Sequence, residues 1–380
     1  MVGVAGRSFR VFALLAVILA VLLVVAAAGC GGSSTTTTTL GSTTTTSEST
    51  TSTAAVSTTT TAGSNTSTTV AVGKLRIFWI SPWYASLGTG KESNDVLFQY
   101  LRDKGWDVTV QDAHGNFQTV ISDIESDIQQ KPDAIIVARV SFHLAGTAYD
   151  EAYAAHIPVF VQNGDVTDKQ VGAVSYDAIN DQIRSTENFA KAINYTGNVV
   201  VVTQTDDFQI DEQSKAMLQV LAKYPDIRII QNVKPDHKND LDALKTIMTA
   251  LLTSHPTPGS IAGGIAAWSD PAVGMAQAAE AAKRYEVKIV GFGASEAECQ
   301  QMSLPQPVLI GAMYKPAQAQ AVAMVDMIQS YFDGSNKTMG QNVLLPSIWI
   351  APGPDAQAKA AYYEDYAARG FAALTTTTAP

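Results

Sequence analysis

The chain has 380 residues, a net charge of −10, 46% hydrophobic and 16% charged residues, and two cysteines. That length accommodates two lobes of ordinary size, and that hydrophobic fraction can bury substantial cores. The acidic balance, with no cluster of Lys and Arg, excludes a nucleic-acid partner, because a phosphate-binding face needs concentrated positive charge.

The first element is an apolar run over residues 11–28, preceded by Arg7 and Arg10 and followed by Cys30 in Ala27-Ala-Gly-Cys30. A positive start, an apolar stretch and small residues before a cleavage point make a secretory signal. With Cys at the first mature position it resembles a bacterial lipoprotein signal. That resemblance implies a lipidated Cys30, a membrane anchor and a body on the extracytoplasmic face of the cell membrane. Ala27 stands where the motif prefers Leu, and an uncleaved transmembrane anchor is the alternative, since the run approaches spanning length. Either way Cys299 is a lone thiol, read as a small buried hydrophobe rather than a nucleophile. Residues 31–69 are dominated by Thr, Ser, Ala and Gly with Glu48 the only charge, which predicts a disordered tether. About 40 residues of flexible coil reach roughly 35 Å. A Thr run at 375–378 echoes it and is expected to fray.

The folded body begins near Lys74. In order it reads strand 75–80, loop 81–90, helix 91–104, strand 106–111 and helix 117–130. Residues 132–163 then give strand 134–137, helix 144–155 and strand 157–161, followed by strand 171–175 and helix 177–193. Next come strand 198–204, helix 210–224, strand 227–233, helix 240–252, strand 260–267 and helix 270–283. Strand 287–292, a short helix at 296–302, strand 308–313, helix 316–332, strand 343–350 and helix 355–368 complete the chain. Short apolar strands alternating with longer helical patterns predict parallel, doubly wound sheets. Ala134-Ile-Ile-Val137 has the continuous apolarity of a strand buried on both faces. Ligands gather at the carboxyl ends of such strands, so Arg139, two residues beyond that run, is placed where a ligand would be.

Catalytic signatures fail one by one. Ser86-Leu-Gly-Thr-Gly-Lys91 imitates part of a phosphate loop, but Glu92 stands where the magnesium-binding hydroxyl is required. The five histidines have no paired metal spacing, and no Gly-x-Ser-x-Gly elbow is present. Asp206 and Asp207 are adjacent, which in an extended segment points them apart, unlike an acid/base pair. Binding is favoured over chemistry, with no catalytic residue, metal or cofactor expected.

Several stretches resemble one family. They are Asp133-Ala-Ile-Ile136, His156-Ile-Pro-Val-Phe160, Leu221-Ala-Lys-Tyr-Pro-Asp-Ile227 with Ile229 and Ile230, Val287-Lys-Ile-Val-Gly-Phe292, and a helix from Pro316 followed by Asp333-Gly334. Their order and spacing are similar to type I periplasmic solute-binding proteins, especially the sugar-binding group of ABC importers. The resemblance implies an α/β fold of two Rossmann-like lobes with parallel sheets joined by a three-crossover hinge. Crossings are expected near residues 163–165, near 314–315, and before the last strand. The expected organisation is 1–29 signal peptide, 30–73 lipidated Cys and tether, 74–163 plus 315–340 first lobe, 164–314 plus 341–370 second lobe, and 371–380 disordered tail.

The resemblance also places a ligand set. Trp83 and Tyr84 follow the first strand, where sugar-binding members set rings against a ligand's C–H face; half-buried loop aromatics are the other reading. Arg139 matches a charged residue that hydrogen-bonds hydroxyls, or else it closes the lobes by a salt bridge. Phe142 packs nearby or caps its helix. Asp177 contacts ligand or serves as an N-cap. Asp211 falls where the family carries Arg, Trp268 where it carries Asn, Gly293 where it carries Asp, and Tyr314 where it carries Gln. Arg139, Trp268 and Tyr314 are expected to share one crevice. The implied function is capture of a sugar or related polar small molecule by hinge closure, as a monomer serving an ABC permease. A sensor for a signalling receptor, and a nucleoside or other non-sugar ligand, stay open as alternatives.

Overall fold

The computed structural model describes residues 72–369 apart from 85–88, 206, 237 and 238. The expectations for the signal, Cys30, nearly all of the tether and the tail therefore lie outside the described residues. Among the described residues no helix is long and apolar enough to cross a membrane.

The chain alternates as expected. β1 (Arg76–Ser81), α1 (Thr89–Asp103), β2 (Asp107–Asp112), α2 (Phe117–Gln130), β3 (Ala134–Ala138), α3 (Phe142–Ala154), β4 (Val159–Gln162) and β5 (Gly172–Tyr176) come first. They are followed by α4 (Ala178–Ala192), β6 (Gly197–Val202), α5 (Phe208–Leu221), β7 (Ile227–Val233), α6 (Asp240–Ser254), β8 (Gly263–Ala266) and α7 (Ser269–Ala281). Then come β9 (Lys288–Gly293), α8 (Glu296–Met302), β10 (Leu309–Tyr314), α9 (Ala317–Phe332), β11 (Gln341–Leu345), β12 (Ile348–Ile350) and α10 (Pro354–Arg369). They assemble into two six-stranded sheets, ordered β11-β5-β4-β3-β1-β2 and β12-β10-β9-β8-β6-β7. β12 runs antiparallel to β10, and the other pairings are parallel.

Each sheet is buried on both faces by its helices, which is why its central strands read as unbroken apolar runs. β3 is buried at every position. Alternate residues go to opposite faces: Ile136 packs with Trp79 of β1 and with Leu97, Met324 and Ile328 of α1 and α9. Ile135 and Val137 pack instead with Val120, Ile124 and Tyr149 of α2 and α3. Each such apolar side chain contributes about 1.5–3 kcal/mol through burial. The second sheet has the same two-sided arrangement, with Val200 and Val202 on one face and Val199 and Val201 on the other.

Sheet membership moves two of the expected lobe boundaries. Strand 171–175 was assigned to the second lobe with a crossing near 163–165; instead β5 pairs with β4 and β11 in the first sheet, so the chain first crosses after Tyr176. The expected strand 343–350 is two strands in different sheets. Pro346 lacks the donor a continuous strand requires, and the chain crosses between Leu345 and Ile348, so β11 also belongs to the first sheet. Gly311 of β10 admits this last strand: a Cβ there would fall 2.0 Å from the Trp349 ring. The remaining crossing, between Tyr314 of β10 and α9, lies where the sequence placed it.

Candidate functional site

A cavity with an empty volume of about 580 Å3, part of it open to solvent, lies among the strand ends of both sheets. From the first lobe come Ser93 on α1, Arg139 after β3 and Asn163 after β4. From the second come Asp207 and Gln209 at the start of α5, Trp268 after β8 and Gly293 ending β9. Tyr176 and Lys315 line it from two of the crossings, which are tied together because the Tyr176 hydroxyl donates to the Pro316 carbonyl.

The backbone is bent to make this possible. Arg139 holds φ at 61° and Asn163 at 57°, the left-handed region in which a non-glycine residue costs about 1–2 kcal/mol. The Arg139 N–H donates to the Gln162 carbonyl at 2.7 Å, so the two adjacent strand ends turn out of the sheet together. Gln320 of α9 fixes the Asn163 and Ser93 side chains: it donates to Asn163 Oδ1 at 2.7 Å and accepts from Ser93 at 2.8 Å. Gly293, with φ of 137°, supplies the same kind of turn in the second lobe without a Cβ.

The charges are few. Among the described lining residues the ionic groups are Arg139, Lys315 and Asp207. Asp207 caps α5 by accepting from the Ile210 N–H at 2.9 Å. Lys315 donates to Gln209 Oε1 at 2.9 Å and lies over the Phe292 ring at 4.9 Å. Burial, and next the Arg139 charge, bring Lys315 down to about 8, against the opposing pull of Asp207 and Asp181. Burial likewise lowers Arg139, again opposed by Asp207.

Of the expected ligand set, the structure brings Arg139, Trp268 and Gly293 onto this cavity. The Trp268 indole N–H donates to Asp240 at 2.9 Å, fixing the ring at the cavity wall. The others lie elsewhere. Trp83 packs edge-on against Phe117, and Tyr84 against Trp79, so both rings return to their own lobe. Phe142 opens α3, its N–H held by Asp165 at 2.7 Å and its ring packed toward Gly146. Asp177 is the N-cap of α4. Asp211 faces along α5 to an ion pair with Lys215 at 2.8 Å, one helical turn past the lining residue Asp207.

Tyr314 is the largest departure. Instead of sharing the crevice with Arg139 and Trp268, its hydroxyl donates to Glu92 at 3.1 Å. Glu92 of α1 also accepts from Lys359 at 3.0 Å and Tyr363 at 2.8 Å, both on α10 of the second lobe. Only 2% of Glu92 and 7% of Lys359 are exposed. A carboxylate of one lobe is thus saturated by donors of the other. Sequence reasoning met Glu92 only as a defect in a phosphate loop and missed this cluster, along with Asn163, Asp207 and Lys315. The strand-end rule that selected Arg139 would have found those last three, since each follows a strand.

Two parallel-sheet lobes with a cavity at their facing strand ends define the architecture of type I periplasmic binding proteins. Residues 89–336 match the periplasmic binding protein domain, and the chain belongs to that family. It is a binding protein rather than an enzyme. Over 210 residues, 54% of this chain, it is 28% identical to a xylitol-binding protein of Mycolicibacterium smegmatis and 27% identical to a D-apiose import binding protein of Paraburkholderia graminis. The matched stretch spans 58% and 65% of those relatives' own lengths. A solved ABC transporter solute-binding protein from Agrobacterium vitis with bound allitol shares the fold. It has a TM-score of 0.69 and 19% identity, covering 76% of this chain and 99% of its own.

Proposed function

We propose that this chain captures a sugar or polyol between its lobes and presents it to an ABC permease. The observation that carries the reading is the cavity itself, ringed by polar side chains from both lobes and from two of the crossings that join them. Relatives named for xylitol and D-apiose, and a structural neighbour holding allitol, support the solute class. Arg139 offers a planar fork for vicinal hydroxyls, Asn163 and Gln209 add amides, and Trp268 gives a ring face for C–H groups. The mechanism is hinge closure, in which contacts from the second lobe stabilise the closed form. In the cell the chain works as a monomer on the extracytoplasmic face, held to the membrane through lipidated Cys30.

A thermal-shift screen of sugars, polyols, nucleosides and amino acids on the full-length chain tests this. A solute at a hundredfold excess over Kd adds about 2.7 kcal/mol, a rise of several degrees for a protein of this size. Arg139→Ala is expected to abolish that rise while leaving a cooperative melt. A melting temperature indifferent to every sugar and polyol, or a rise that survives Arg139→Ala undiminished, overturns the reading.

A further inference from the structure

The charge on the cavity walls does not match a neutral solute. Two cations, Arg139 and Lys315, face one carboxylate, Asp207, among the described lining residues. That carboxylate is already engaged at the amino end of α5. Asp181, the other carboxylate that pulls on Lys315, is held by Arg184 at 2.8 Å through one oxygen and has no hydrogen-bond partner on the other. The Arg139 guanidinium makes no hydrogen bond or ion pair with any described residue. Among the described residues, the direct partners of the Lys315 ammonium are a neutral amide and a ring face. Arg139 and Lys315 are half-buried, and cations partly withdrawn from water favour a counter-charge beside them.

We propose, resting on the sugar-binding reading above, that the preferred ligand is a polyhydroxylated carboxylic acid, an aldonate or uronate, whose carboxylate lies between Arg139 and Lys315. Arginine presents paired N–H donors that match the two oxygens of a carboxylate, and lysine adds a compact charge from the side. The remaining hydroxyls meet Asn163, Gln209 and the Trp268 ring. One negative charge cancels the surplus of one positive charge among the described lining residues. A phosphate monoester, which carries roughly −1.5 to −2, overshoots it beside Asp207. Burial and the neighbouring guanidinium lower Lys315 toward neutrality, and a bound carboxylate opposes both effects.

Isothermal titration calorimetry on the full-length chain at pH 7 separates these cases. The probes are xylonate against xylitol, gluconate against glucitol, galacturonate against galactose, and ribose 5-phosphate against ribose. The expected result is that, in the pair the cavity accepts, the acid binds at least tenfold more tightly than its neutral counterpart. In Lys315→Met that ratio shrinks by tenfold or more. A neutral member binding as tightly as its acid overturns the proposal and leaves the sugar reading standing. Ribose 5-phosphate as the tightest probe overturns the choice of carboxylate. Failure of every probe removes the sugar reading and this proposal together. If Lys315→Met does not fold, the acid-to-neutral ratio in the unaltered chain decides alone.

Discussion

Where the first lobe meets the second, charge is handled in two contrasting ways, one buried and one half-buried. At Glu92 one carboxylate meets a lysine and two tyrosine hydroxyls, all within 3.1 Å, so each of its oxygens is satisfied by the protein itself. Around Arg139 and Lys315 the positive charges outnumber the negative, and the fork of Arg139 has no protein acceptor among the described residues. The first arrangement is complete and holds the lobes together. The second, among the described residues, leaves the Arg139 fork without a protein acceptor, a place taken, on the proposal above, by a ligand carboxylate. A cleft that satisfied its own cations would have nothing left with which to select a solute.

Breaking the complete region should have the largest effect on the fold. Glu92→Ala strands the Lys359 ammonium in a buried site, and loss of one partner of a buried pair costs about 3–5 kcal/mol. Urea unfolding should register that loss, and scattering should show a larger radius of gyration as the lobes part. A loss under about 1 kcal/mol with unchanged dimensions would show that the cluster does not hold the seam. Tyr363→Phe removes one hydroxyl donor and leaves the ion pair, so the expected cost is smaller, about 1.5–3 kcal/mol for a hydrogen bond to a charged group. If Tyr363→Phe proves as damaging as Glu92→Ala, ring packing rather than charge saturation governs the region.

The smallest effect comes from another buried carboxyl, Asp127, which sharpens the contrast. Asp127 on α2 is fully buried with one donor, Gln111 at 3.1 Å, and no donor on its other oxygen. Burial dominates and pushes it up to about 6 from 3.8, with Asp123 adding to the rise and Gln111 and Arg76 opposing it. The folded protein therefore favours the protonated form. The stability this contributes is present at low pH and is lost as pH rises through about 6. Asp127→Asn should raise the melting temperature above pH 7, by about 1–3 kcal/mol equivalent, and leave it unchanged near pH 4. An equal gain at both pH values would show that ionisation is not the cause.

Much of the fold was legible because strands buried on both faces have to be apolar where they are buried, as β3 is throughout and as residues 77–80 of β1, 199–202 of β6 and 289–292 of β9 are. Which sheet a strand joins was not legible, because β5 and β6 carry the same kind of side chain and only pairing distinguishes them. The boundary in 343–350 had a local sign, Pro346, but a sequence alone does not tell a kinked strand from two strands. In the site, the strand-end rule placed Arg139 on the cavity, and the family resemblance placed Trp268 and Gly293 there. It failed where a side chain has a better partner close by: Asp211 has Lys215 one turn along its helix, and the rings of Trp83 and Tyr84 have apolar neighbours in their own lobe. Tyr314 sits at a strand end, as the rule requires, yet its hydroxyl is taken by Glu92, 222 residues away in sequence. No periodicity reports such a partner.

The interleaved order of the strands also bears on how the protein is made. β11 completes one edge of the first sheet and β12 one edge of the second, and only two residues separate them. A nascent chain halted before Gln341 would expose β5 and β10 as open hydrogen-bonding edges at once, the kind of surface that invites aggregation. Neither sheet has its full set of strands until residues 341–350 have been made, so a helper that shields the emerging polypeptide has two edges to cover until then.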